Sequence, residues 1–126
     1  MSSRTYRQEE LLRTRDVDGV RVAAPVPARL IDPDLITPLG HALQRLVDPA
    51  EPRPVVLDLA GVEAMSSQMI GELVALKSAL KGADAGPLVL LNVAERIELT
   101  LKITQLHKSM PIAGDEAEAV RLAKGA

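Results

Sequence analysis

Ser66 and Ser67 stand where an apolar run, 55–59, has given way through a short connection to an amphipathic one that starts at Met69. A hydroxyl at such a junction has two uses. It can cap the helix by accepting from a free backbone N–H, or it can accept a phosphoryl group. The junction tolerates the second because a helix N-terminus exposes unpaired N–H groups and a partial positive charge. A dianion placed there leaves the fold intact. It would still repel an acidic partner, or have to be desolvated against an apolar one. With two serines in a row, the roles can be shared: Ser67 as the cap, Ser66 as the free hydroxyl.

Other chemistry-bearing residues are sparse. Asp58 lies inside the first apolar run, near its end, and Asn92 sits at the matching end of the run 88–93. A single carboxylate without a second acid or base beside it is a poor catalyst. Both residues are expected to hydrogen-bond loop backbone and support the Ser66 loop. His41 and His107 lack metal-ligand spacing and are expected on the surface. Met65 and Met69 read as core or rim residues, and Lys77, Lys81 and Lys102 as a solvated face. There is no glycine-rich phosphate loop, no Gly-x-Ser-x-Gly elbow and no His–Asp pair placed to activate Ser66. The expectation is a protein without catalytic residues, metal or cofactor.

The 126 residues suit one domain, 1–126, with one hydrophobic core and a frayed start over residues 1–8. That core must be aliphatic, since there is no Phe or Trp and a single tyrosine, Tyr6. A net charge of −2 and the lack of aromatics argue against a nucleic-acid footprint or base-stacking platform. The absence of cysteine excludes disulfides, thiolate metal sites and thiol nucleophiles. No apolar run reaches membrane-spanning length, and the first residues lack the apolar core of a signal peptide. A cytoplasmic protein that does not engage membranes is expected.

The elements that must position Ser66 can be read from periodicity. Runs 55–59 and 88–93 are almost wholly apolar, as suits parallel strands covered on both faces. Between them Met69, Ile70, Leu73, Leu76 and Leu80 recur at helical spacing. Strand, helix and parallel strand make a crossover, with the loop 60–67 at the carboxyl end of the first strand, where open α/β sheets place function. Upstream, Asp18-Gly19 between 11–17 and 20–26 reads as a hairpin turn, which Pro25 and Pro27 terminate. Asp32-Pro33-Asp34 opens a helix with the buried stripe Leu35, Leu39, Leu43, Leu46 and Val47. Downstream, 81–87 stops the central helix. Residues 94–104 form another with Ile97 and Leu101 inward, 109–112 form a short strand, and Asp115 caps a last helix carrying Ala119, Val120 and Ala123. The fold class is therefore α/β, a single domain with a mixed sheet of about four or five strands and about four helices packed mainly on one side.

The residues Val55-Val-Leu-Asp-Leu-Ala-Gly-Val62, Ser66-Ser67, Gly71-Glu72-Leu73, the run 88–93 and Lys102-Ile-Thr-Gln-Leu106 leading to Met110-Pro111-Ile112 occur in order. Over the span 55–120 the chain resembles the STAS domain family, which includes bacterial anti-sigma-factor antagonists. The resemblance implies a protein that works by binding. In antagonists of this type the serine at the loop-to-helix junction is phosphorylated by a partner that is both anti-sigma factor and serine kinase. The unphosphorylated form binds that partner and frees the sigma factor. Carried over by position, the phosphoacceptor is Ser66, with Ser67 as the alternative. The family pattern has aspartate before the acceptor and often glycine after the serine pair, where this chain has Met65 and Gln68.

The partner-binding surface then comprises the Ser66 loop with Met65, the exposed side of the following helix with Gln68, Glu72 and Ala75, and the turn 28–32 with Arg29 and Asp32. Leu11 and Leu12 on an edge hairpin would supply a homodimer contact. A rival function is a structural interaction module in a larger signalling assembly that is never phosphorylated, which Met65 favours. A third, weaker one is a small-ligand or nucleotide binder at the strand ends.

Overall fold

The structure is a computed structural model and describes residues 5–125. Its framework is a five-stranded sheet in the order β1-β2-β4-β6-β7. The strands are β1 (Leu12–Val17), β2 (Val20–Pro25), β4 (Val55–Asp58), β6 (Leu88–Leu91) and β7 (Ile112–Ala113). The β1–β2 pair is antiparallel and every other pairing is parallel, so the sheet is mixed, with the hairpin at one edge as the sequence predicts. A second, two-stranded parallel pair joins β3 (Arg29–Leu30) to β5 (Ala64–Met65).

The hairpin turn works through two left-handed residues, Asp18 at φ 51° and Gly19 at φ 82°, the geometry that matches the twist of the flanking strands. A Cβ on Gly19 would meet nothing within 4 Å. Gly19→Ala is therefore expected to cost about 1 kcal/mol through backbone conformation alone, read as a lowered urea midpoint at unchanged slope.

Alternation along the central strands divides the core into two layers. Val55, Leu57, Leu88 and Leu90 face one side and join the main cluster. Val56, Val89 and Leu91 face the other, with Val20, Val22 and Ala113. This is why both runs read as continuously apolar: each face of the sheet is covered. The main cluster receives α1 (Gln8–Leu11), α2 (Pro33–Gln44), α3 (Ser67–Gly82) and α4 (Glu95–Ile103). The opposite face receives α5 (Glu116–Ala123) through Ala119, Val120 and Ala123. Asp32 caps α2 by accepting from Asp34 N at 2.9 Å, and Asp115 caps α5 by accepting from Glu118 N at 2.8 Å. An exposed ion pair of Arg15 with Glu116 links β1 to α5.

Three expectations need correction. Leu11 and Leu12 are buried in the main cluster and offer nothing to a second copy. The outer edge of β1 instead shows Arg13, Thr14, Arg15 and Asp16, a charged edge of the kind that discourages strand addition. The last strand lies at Ile112–Ala113 instead of 109–112. Gln105, at φ 63°, ends the α4 region, and a 3-10 turn takes Leu106–Lys108. Pro111 cannot donate, but its carbonyl accepts from Leu90 N at 2.8 Å and so begins the pairing. His107 is half-buried rather than on the surface, its Nδ1 enclosed beside that turn. Of the eight N-terminal residues expected to fray, 1–4 lie outside the described ones, Tyr6 packs on the core and Gln8 opens α1.

Candidate functional site

Three chain segments converge at the carboxyl end of β4. The loop after β4 is held at its root by Asp58, whose Oδ1 accepts from Ala60 N at 3.0 Å and from Asn92 Nδ2 at 2.9 Å. Asn92 reaches this bond from the end of β6 in a left-handed conformation, φ 57°, which asparagine tolerates better than most residues. One oxygen thus ties two adjacent strand ends together. Asp58→Ala removes both bonds and is expected to cost about 1–2 kcal/mol. Amide exchange should quicken most at Ala60 and in the loop that follows it. Unchanged exchange in that loop would show that Asp58 does not hold it.

The loop's far end is held by the turn before α2. Glu63 N donates to Ala28 O at 2.7 Å, and Ser66 N donates to Leu30 O at 2.9 Å. Between these bonds lie the β3–β5 pairs Arg29 with Ala64 and Leu30 with Met65. Leu30 is fully buried and Met65 packs against the main cluster, so the pairing has an apolar floor. These two-residue strands have no periodicity to detect in the sequence. The hint is Ala-Arg-Leu-Ile after Pro27, a short mixed stretch too brief to distinguish from coil.

Ser66 follows directly. Its backbone is extended (φ −81°, ψ 168°) and its Oγ accepts from Met69 N at 3.2 Å, while its carbonyl accepts from Ile70 N at 3.0 Å. Ser66 is thus the N-cap of α3 and is half-buried; Ser67 is the first helical residue and exposed. The division that gives the cap to Ser67 is reversed, because the side chain that reaches back to a helix N–H belongs to the last extended residue. Met69, fully buried one turn into α3, anchors the helix start beneath the site.

The remaining surface residues fall around this point. Gln68 and Ala75 are exposed on α3, and Arg29 and Asp32 on the turn before α2. Glu72 differs: it is half-buried, its carboxylate lying over Gly40 of α2, where a Cβ would collide with it. It faces the neighbouring helix more than open solvent. Ile70, placed with the buried stripe by spacing, is half-buried at the edge of a groove of about 250 Å3 between β3–β5, α3 and α4. Sequence reasoning missed this groove and the α4 residues on its wall, Arg96 and Thr100. Among the described residues, no group of three or more His, Cys, Asp or Glu side chains could hold a metal ion, and no helix is long and apolar enough to cross a membrane.

The model of the STAS domain family matches residues 13–119 of the chain. A search of curated proteins finds no match. Solved structures share the architecture. An anti-sigma-factor antagonist (STAS) domain protein from Planctomyces limnophilus superposes with a TM-score of 0.76 at 24% identity, over 89% of this chain and 96% of the other. An anti-sigma factor antagonist from Mycobacterium paratuberculosis gives 0.74 at 22% identity, over 90% and 92%. The anti-sigma factor antagonist SpoIIAA in its unphosphorylated form gives 0.67 at 13% identity, over 91% and 99%. At these identities the likeness is one of fold.

Proposed function

This chain belongs to the STAS domain family, and on that premise we propose that it is an anti-sigma-factor-antagonist-like regulator. It binds a serine-kinase-type anti-sigma factor in the cytoplasm through its Ser66 end, and phosphorylation of Ser66 breaks the complex. It acts by binding and not by catalysis. The observation that carries this reading is the setting of Ser66: a half-exposed hydroxyl at the N-terminus of the helix that joins the two central strands. A phosphate on that oxygen meets the free N–H groups and positive end of α3, so the domain holds it without refolding. The buried anchor Met69 and the two loop ties keep the scaffold in place while the surface charge changes. The structural neighbour SpoIIAA, an antagonist described in an unphosphorylated form, supports the same reading.

The test is incubation with the cognate kinase and ATP, followed by mass spectrometry of Ser66→Ala and Ser67→Ala variants beside the parent. Phosphate on the parent and on Ser67→Ala, but not on Ser66→Ala, is the expected pattern. Ser67, exposed and without a side-chain hydrogen bond among the described residues, is the alternative acceptor. A parent protein that takes no phosphate on either serine removes the switch.

A second reading has its own observation. Ser66 Oγ is already engaged as a cap acceptor, which suits a structural role and hence an interaction module in a larger assembly that is never modified. Such a module would bind its partner equally well with a charge placed at Ser66.

A further inference from the structure

The groove beside Ser66 has a chemistry that phosphorylation does not explain. Its walls carry Arg29 from β3 and Arg96 from α4, and its apolar lining includes Ile31, Met65 and Ile70. Both arginines are exposed, and among the described residues neither side chain makes an ion pair or hydrogen bond. Most other arginines here are matched: Arg15 with Glu116, Arg21 and Arg53 with Asp16, Arg121 with Glu118. The acids that neighbour lining residues in sequence, Asp32, Glu63 and Glu95, do not line the groove themselves. Two cations therefore flank a trough of mixed polar and apolar lining, with their hydrogen-bonding capacity unused.

The apolar surface continues beyond the trough. Ile31 is 41% exposed, and on α4 Leu99 is 58% and Ile103 73% exposed. These are three of the four large apolar side chains exposed among the described residues. Arg96, Leu99, Thr100 and Ile103 follow helical spacing, so one stripe of α4 runs from the groove wall along the outside of the domain. The volume of about 250 Å3 lies below the ~300–1,000 Å3 common for small-molecule pockets. It suits an inserted side chain better than a metabolite.

We propose that this groove and the adjoining α4 stripe dock an acidic, leucine-rich segment of the partner protein, with apolar side chains on Ile31, Ile70, Leu99 and Ile103 and carboxylates on Arg29 and Arg96. The assignment rests on the reading of the Ser66 end as the docking face, and adds what the partner must present there. Arginine favours this pairing because its planar fork takes a carboxylate bidentately.

The probe is a fluorescein-labelled peptide of alternating leucine and Asp or Glu, with an otherwise identical peptide carrying Asn and Gln as control. Anisotropy should show saturable binding of the acidic peptide, weakened by roughly tenfold or more in Arg96→Glu, in Arg29→Glu and with the amide peptide, as expected for loss of a charged hydrogen bond. Arg96→Gln, with the charge removed but not reversed, should fall between, and added salt should weaken the complex. Lys81→Glu, at the other end of α3, should bind as the parent does. Amide shifts on titration should centre on Ile31, Ile70, Arg96 and Thr100. Equal binding of the two peptides, no binding of the acidic one, or shifts centred on Lys77 and Lys81 would overturn the proposal. Should the groove fail while phosphate on Ser66 still blocks the partner, the switch stands and only the docking chemistry is wrong. The peptide result in turn needs no phosphorylation.

Discussion

Ser66→Asp is expected to melt close to the parent protein and to bind the kinase-type partner about 100-fold more weakly, a change of a few kcal/mol in line with like-charge or unpaired-charge penalties at an interface. The two halves of that result have separate causes. Aspartate is as good a cap as serine, and its charge is favourable at the positive end of α3, so the bond now made to Met69 N has a replacement. The same carboxylate sits half-exposed in the middle of the proposed contact surface, where a partner matched to a neutral hydroxyl must desolvate it or oppose it. Ser66→Ala separates the effects: it loses the cap bond and is expected to cost about 1 kcal/mol in stability, while partner binding survives. Calorimetric titration of parent, Ser66→Ala and Ser66→Asp with the partner reads all three. Equal affinity for Ser66→Asp and the parent would end the switch and leave the interaction module.

Leu73→Ala should produce the largest loss of stability of the substitutions considered, about 3 kcal/mol within the ~2–5 kcal/mol found for leucine truncations in cores. Leu73 is fully buried on α3, one turn beyond Met69, in the main cluster between the helices and the sheet. Truncation removes buried methyl groups and leaves a cavity that α3 can close only by shifting. Against a total of ~5–15 kcal/mol for a domain, that is a substantial fraction, visible as a shifted urea midpoint. Ala75→Ser, on the exposed side of the same helix, is expected to change stability by less than about 0.5 kcal/mol. A small effect at Leu73 would mean that the α3 seat is plastic, and the Ser66 end with it.

Much of the framework was legible because it rests on long periodic signals. Runs 55–59 and 88–93 carry the strands Val55–Asp58 and Leu88–Leu91, each ending short of its run. The stripe Met69, Ile70, Leu73, Leu76 and Leu80 lies on α3 with all but Ile70 buried, and Asp32 and Asp115 cap the helices expected of them. The Asp18-Gly19 turn was readable from two residues because few others adopt that geometry. Leu11 and Leu12 were misjudged, since alternation on β1 is broken by a short helix that carries Leu11 onto the core. The 109–112 strand was displaced because the left-handed Gln105 and the following 3-10 turn leave no periodic trace.

The sequence by itself determined the crossover and the position of two hydroxyls at the head of α3, because local periodicity and capping chemistry act over a few neighbouring residues. The family entered through the resemblance carried by the ordered residues of 55–120 and the match over 13–119. Which serine turns back to cap the helix, the clamp of Leu30 on the Ser66 loop, the rotation of Glu72 onto Gly40 and the meeting of Arg29 with Arg96 around one groove were decided only by tertiary structure. The cap bond itself spans three residues, with Ser66 held extended by Leu30. The others depend on segments far apart in the chain, and no residue records in its own neighbourhood the partner that packing will bring to it.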